Sequence, residues 1–218
     1  MLFFDFLLQY GLKTSLATIL LIALLFYMKR RKNGEGVTEK VFGSLIVVAI
    51  AFRFLDAILK TVGQYYLWAK EPLTKVFLNS GLSPETPGIF SQIPIFDNNY
   101  GYFIFYALTR FWFNVIVVFA VSFLFSVFLG ALKKKRVTFF DTGEVKLGVL
   151  TALLVGWPQV IILIPVLFLS VVLLSIFRSL FLKKHYTTLG YPLIFSSALI
   201  FVLGNFLGLV FNISVFNI

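Results

Sequence analysis

Long apolar runs alternate with short basic clusters along this chain, and the spacing predicts helices that cross a membrane. An apolar lead-in, Met1 to Lys13 with Asp5 inside it, reads as interfacial, and a first crossing follows from Thr14 to Met28. Lys29-Arg30-Arg31-Lys32 stops it, Asn33-Gly34-Glu35-Gly36 has the composition of a turn, and a second crossing is expected from Val41 to Lys60. From Thr61 to Asn99 the hydropathy falls and prolines enter at Pro72, Pro84, Pro87 and Pro94. That stretch predicts an outer loop of about 40 residues with one short amphipathic helix at Leu73 to Leu78. Tyr65, Tyr66 and Trp68 at its start and Tyr100 and Tyr102 at its end are placed like an interfacial aromatic belt.

The third crossing, Phe103 to Leu132, exceeds the ~20 residues a bilayer needs, which implies tilt or an extension into the interface. The fourth apolar run, Val145 to Gly156, is ~18 Å of helix against a hydrocarbon core of ~30 Å. Either its amino end or the turn at Trp157-Pro158 must therefore lie below the membrane surface. Gln159 to Leu182, kinked by Pro165, and Pro192 to Phe211 complete six crossings. The expected fold class is an all-α polytopic membrane protein, a single integral membrane domain over residues 1–218. Helices 1–2 fall in residues 1–60, the outer loop in 61–100 and helices 3–6 in 101–218.

Composition agrees with this pattern. The chain has 218 residues, 60% of them hydrophobic and 13% charged, and a sphere of that size has too little interior to hide so much apolar surface. The net charge of +10 sits in clusters between apolar runs and not along one face, and no basic-aromatic module is visible, so nucleic acid is not an expected partner. Lys29 to Lys40, Lys133 to Lys146 and Arg178 to Lys184 hold thirteen of the nineteen lysines and arginines, which puts those loops inside and the amino terminus outside. The amino terminus lacks a basic region before its apolar run and a small-residue cleavage site after it, so the first segment is expected to stay. With no cysteine and one histidine, His185, neither thiolate chemistry nor a histidine-rich metal site is expected, and no cofactor is implied. His185, beside Lys183 and Lys184, reads as a solvated loop residue.

The charges inside or beside apolar runs are the candidates for chemistry. Arg53 and Asp56 are three residues apart on one helix face, where isolated charges would be costly, so they are expected to pair, with Arg110 of the third crossing joining them. The pair is either a binding or relay element facing the bundle interior or a structural ion pair near the outer interface. In Phe139-Phe140-Asp141-Thr142-Gly143-Glu144-Val145-Lys146-Leu147-Gly148, two carboxylates and a lysine crowd the start of the short fourth helix. Glu144 is either a carboxylate whose neighbours set its protonation for chemistry or a helix-capping charge matched to Lys146 and the Lys133 cluster. Asp141-Thr142-Gly143 spells the soluble aspartic-protease signature, but that motif works in a β-rich cleft which this composition excludes. Gly204-Asn205-Phe206-Leu207-Gly208 is a small-xxx-small pattern suited to a close helix crossing, with Asn205 and Asn212 expected to bond a neighbouring helix.

From Asp141 onward the chain resembles the membrane-embedded prepilin peptidases, whose six-crossing module opens its fourth helix with a GxGD motif continued as GDVKL and LGW. The corresponding residues are Asp141-Thr142-Gly143-Glu144-Val145-Lys146-Leu147 and Gly156-Trp157-Pro158, and Leu189-Gly190-Tyr191-Pro192-Leu193-Ile194 falls near that family's IPFGPFL stretch. Glu144 stands where the family has aspartate and Asp141 where it has the first glycine. The resemblance implies a diverged inner-membrane aspartic-type endopeptidase in which Glu144 and Asp141 would activate water against a prepilin-like peptide, with Lys146 in the binding region. The amino half resembles the prolipoprotein diacylglyceryl transferases through Tyr10-Gly11-Leu12, Arg53, Pro72-Leu73 and Gly81-Leu82-Ser83. That family's histidine-glycine-glycine is replaced here by Pro84-Glu85-Thr86-Pro87. The second resemblance implies a lipid-handling protein with Arg53 near a phospholipid headgroup and a lipoprotein precursor as partner; a third alternative is a non-catalytic scaffold or transporter-like subunit.

Overall fold

Backbone that enters hydrocarbon must satisfy its own amides, and the apolar runs do so as helices. The computed structural model describes residues 2–33, 35–82, 93–135, 140–141, 143–182 and 188–210, and among these there is no strand. Eight helices are labelled in chain order: α1 Leu2–Asn33, α2 Glu35–Lys70, α3 Pro72–Leu78, α4 Gly101–Ala107, α5 Phe113–Lys135, α6 Glu144–Val155, α7 Val160–Leu182 and α8 Gly190–Val210. One π-helical turn, Leu108–Trp112, joins α4 to α5 without a break. Among the described residues, four stretches are long and apolar enough to cross a membrane: Gly11–Lys29, Thr38–Lys70, Gly101–Lys135 and Val160–Phe181. The 12-residue α6 is not among them, and α8 contributes a shorter apolar stretch, Gly190–Gly204.

Several boundaries differ from the sequence expectation. Where a turn was expected over Asn33 to Gly36, α1 runs through the basic cluster to Asn33 and α2 is already helical from Glu35, because lysine, arginine and glutamate are good helix formers. The interfacial lead-in is continuous with the first crossing, because nothing in residues 2–13 breaks a helix. The second helix runs ten residues past Lys60 into the stretch read as outer loop, since Thr61 to Lys70 contains no proline and only one glycine. It stops where proline chemistry requires: Glu71, which precedes Pro72, is extended at φ −95° and ψ 130°, and Pro72 opens the next helix. That helix, α3, coincides with the expected short amphipathic segment. Pro84 to Pro87, Arg136, Thr142, Lys183 to His185 and Asn212 lie outside the described residues, as does the side chain of Asn205.

The core is organised around α6. It packs against α5, α2, α8, α1 and α7, and Leu147, Leu150, Thr151, Ala152, Leu153 and Leu154 are all buried, as befits a helix that is apolar around its whole circumference. Gly148 lets α5 approach, since a methyl there would collide with Leu129. Between α7 and α8 the hydroxyls of Ser170 and Ser196 meet at 2.8 Å, and Ser196 also donates to Pro192 O at 2.7 Å, the kind of polar contact that holds helices together in lipid. Phe168, Leu169, Val172, Leu173 and Ile176 of α7 face outward, which suits contact with acyl chains.

Candidate functional site: the two ends of the central helix

A helix of 12 residues covers about 18 Å, so its two ends cannot both reach water across a bilayer. The Glu144 end touches Tyr27, close to Lys29 where the first span ends, and Gly143 packs against Phe42, near the start of the second span. The other end meets Arg53, fifteen residues or roughly 22 Å along the span that starts at Thr38. The turn after α6 therefore lies beside the middle of that span, and the beginning of α6 beside its end. Carbonyls at a helix end buried in this way need a donor from the protein.

Arg53 is that donor. Its Nε and Nη2 donate to Leu153 O at 3.1 and 2.9 Å, and Nη2 donates to Leu154 O at 2.9 Å. A cation at the negative end of a helix dipole adds to these bonds. Gly156 lies against the guanidinium at a positive φ of 78°, and a methyl there would collide with Arg53, so both backbone conformation and packing require glycine. The expected Arg53–Asp56 ion pair does not form. Asp56 Oδ2 instead accepts from Lys60 Nζ at 2.7 Å, one turn farther along α2, while the buried carbonyls of α6 claim the arginine.

Arg53, Asp56 and Arg110 nevertheless share one cavity of about 150 Å³, lined also by Lys60, Asn114 and Trp157. A second cavity of about 180 Å³ adjoins the same arginine and reaches Lys13 and Gln159. A third, of about 310 Å³ and mostly apolar, lies between α1 and α2 beside Leu12 and Asp56. Among the described residues, four cations, Lys13, Arg53, Lys60 and Arg110, line the first two cavities, and one carboxylate, Asp56, lies with them. The side chain of Arg110 has no hydrogen-bond or ion-pair partner among the described residues. Gly204, singled out for a close helix crossing, packs near Gln159 of this region.

At the opposite end, Glu144 is fully buried and both carboxylate oxygens are occupied. Oε1 accepts from the Tyr27 hydroxyl at 2.8 Å and from Gly190 N–H at 2.9 Å; Oε2 accepts from Asp141 N–H at 3.0 Å and from Leu189 N–H at 3.2 Å. Among the described residues four donors reach this carboxylate, as many as it has lone-pair positions. One side chain thus ties α1, the turn before α6 and the start of α8 together. Gly190 is the only residue type that fits there, because any Cβ would strike the Tyr27 ring. Asp141 and Glu144 are brought together in one turn, with Glu144 N–H returning a bond to Asp141 O at 3.2 Å. The expected match of Glu144 to Lys146 is corrected: Lys146 points away and pairs with Glu39 at 3.0 Å.

No protein-family model matches the chain, and no significant match is found among curated proteins or solved structures. Among the described residues, no group of three or more His, Asp or Glu side chains converges in a way that would hold a metal ion. Tyr27, Lys60 and Gly190 were missed by sequence reasoning. A hydroxyl at the end of an apolar run beside a basic cluster looks interfacial, and only its contact with Glu144 gives Tyr27 a role. Lys60 had a usable signal, since it stands four residues after Asp56 on the same helix face.

Proposed function

We propose that this chain is a bacterial-type inner-membrane protein of six crossings, with its amino terminus outside, that binds the anionic headgroup of a membrane lipid in the cavity beside Arg53. The observation that carries this reading is the excess of cations around a cavity at membrane depth, one of which, Arg110, has no protein acceptor among the described residues. Arginine presents a planar fork of donors suited to phosphate, and the adjoining apolar cavity between α1 and α2 gives an acyl chain somewhere to lie. The weak amino-half resemblance to the prolipoprotein diacylglyceryl transferases points the same way. The inner loops rich in lysine and arginine support the orientation.

The test is lipid retention measured by native mass spectrometry, with phosphatidylglycerol, phosphatidylcholine and inorganic phosphate as separate probes. Arg110→Gln should weaken phosphatidylglycerol retention by about tenfold, the equivalent of ~1.4 kcal/mol, and leave phosphatidylcholine retention unchanged, while inorganic phosphate, which has no acyl chain to hold it, should be retained less than phosphatidylglycerol by the unaltered protein. Equal retention of phosphatidylglycerol and phosphatidylcholine by the unaltered protein would refute the reading.

A second reading is a diverged prepilin peptidase, favoured by the placement of Asp141 and Glu144 in one turn. In it the pair would activate water against a peptide bond at the cytoplasmic face, which requires Glu144 to release at least one of its four donors. Cleavage of a prepilin-like peptide that Glu144→Gln abolishes would establish it over the lipid reading.

A further inference from the structure

The short helix α3 lies outside both ends of the central helix, and its three faces differ in chemistry. Leu78 is buried against Phe103 and Ala107, with Trp68 beside them, while the Thr74 hydroxyl donates to Trp68 O at 3.0 Å and Glu71 O at 3.2 Å, so this face holds α3 to the ends of α2 and α4. Tyr102 N–H donates to Ser80 O at 3.1 Å and Leu82 N–H to Phe96 O at 3.0 Å, which fixes the following backbone to the start of α4. Leu73, Val76 and Phe77 share another face and are 82%, 67% and 51% exposed. Lys75 stands opposite them, and Lys70 ends the preceding helix.

Apolar side chains this exposed on a single helix turn need a cover. The spans α3 is tied to indicate what that cover is. Thr38–Lys70 has 33 residues and Gly101–Lys135 has 35, about 50 Å of helix each, enough for a tilted helix to cross hydrocarbon plus both headgroup layers at ~40–45 Å. Their shared end, where α3 sits, is then in the headgroup layer. Tyr65, Tyr66 and Trp68 leading into it, and Tyr102 stacked on Trp68 with ring centroids 6.1 Å apart, are the residues that prefer that layer.

We infer that α3 is an interfacial docking element that inserts Leu73, Val76 and Phe77 into the headgroup–acyl boundary of the leaflet above the Arg53 cavity. Lys70 and Lys75 remain in reach of lipid phosphates. The occupant of this face is the bilayer itself, not a second protein. The inference does not depend on the cavity binding a lipid.

The chain has no cysteine, so single cysteines at Leu73, Val76, Phe77 and Lys75 can each carry a nitroxide in liposomes of mixed phosphatidylethanolamine and phosphatidylglycerol. The ratio of collision with oxygen to collision with a polar nickel chelate should be severalfold higher at 73, 76 and 77 than at 75. Adding Leu73→Glu, which leaves the bundle-facing Thr74 and Leu78 intact, should lower the ratio at 77. A water-like ratio at all four positions would overturn the inference, as would labels at 73, 76 and 77 shielded from both reagents, which would mean a protein covers this face.

Discussion

Glu144→Gln is the most informative single change, because it keeps the size of the side chain and alters only what it can accept. The carboxylate receives four hydrogen bonds from described residues in a fully buried site. Glutamine offers one acceptor oxygen and turns an NH₂ toward the rest, so two donors keep a partner and two face an amide that also donates. A buried donor left unsatisfied costs about 1–3 kcal/mol, giving an expected loss of about 2–6 kcal/mol. That is a large share of an ordinary folding stability and corresponds to a fall in Tm on the order of 10 °C. A surface capping charge would have been worth only about 0.3–1 kcal/mol. Tyr27→Phe removes one of these donors and should cost less, and on a Glu144→Leu background it should cost less again, because the 2.8 Å bond to the carboxylate is already gone while the 3.3 Å contact with the Thr188 hydroxyl remains to be lost. Thermal unfolding in lipid nanodiscs, followed by near-UV circular dichroism, reads all three. A Glu144→Gln variant within about 0.5 kcal/mol of the parent would refute the clip. A stable variant that had lost a peptide-cleaving activity would place Glu144 among reacting groups instead.

Arg53→Met should destabilise by about 2–6 kcal/mol, since Leu153 O and Leu154 O lose their donors at the buried end of α6, and Arg53→Lys should recover only part of this because one ammonium cannot reproduce the fork; unfolding in nanodiscs checks both. Gly156→Ala should lower stability by at least ~1–3 kcal/mol through its positive φ, and a companion Arg53→Ala change should relieve the collision but not the backbone cost, which a double-mutant cycle separates. Asp56→Asn and Lys60→Gln should show a coupling in such a cycle of at least about 0.3–0.5 kcal/mol, the value typical of a water-exposed pair one turn apart. Single cysteines at Asn33 and Thr86 should react with impermeant reagent from the inside and the outside respectively, and the reverse pattern would invert the proposed orientation.

Where the helices lie was legible in the sequence, because burial of apolar residues and the breaking of helices by proline are properties of a few neighbouring residues. The short fourth run was expected at Val145 to Gly156 and is found as Glu144–Val155, and α3 was expected one residue inside its actual start at Pro72. The overshoot of α2 past Lys60 shows the limit of this logic: a fall in hydropathy marks where lipid ends, not where a helix ends. Which charges meet was not legible. Spacing along α2 allowed Asp56 to reach back to Arg53 or forward to Lys60, and the choice fell to Lys60 only because carbonyls a hundred residues away occupy the arginine. Glu144 likewise looked like a match for Lys146, two positions on, whereas its donors come from residues 27, 141, 189 and 190 and Lys146 goes to Glu39. Local sequence decides what each segment must hide; which polar group satisfies which buried partner depends on segments brought together from across the chain, so the tertiary structure alone determined the polar partners at both ends of α6.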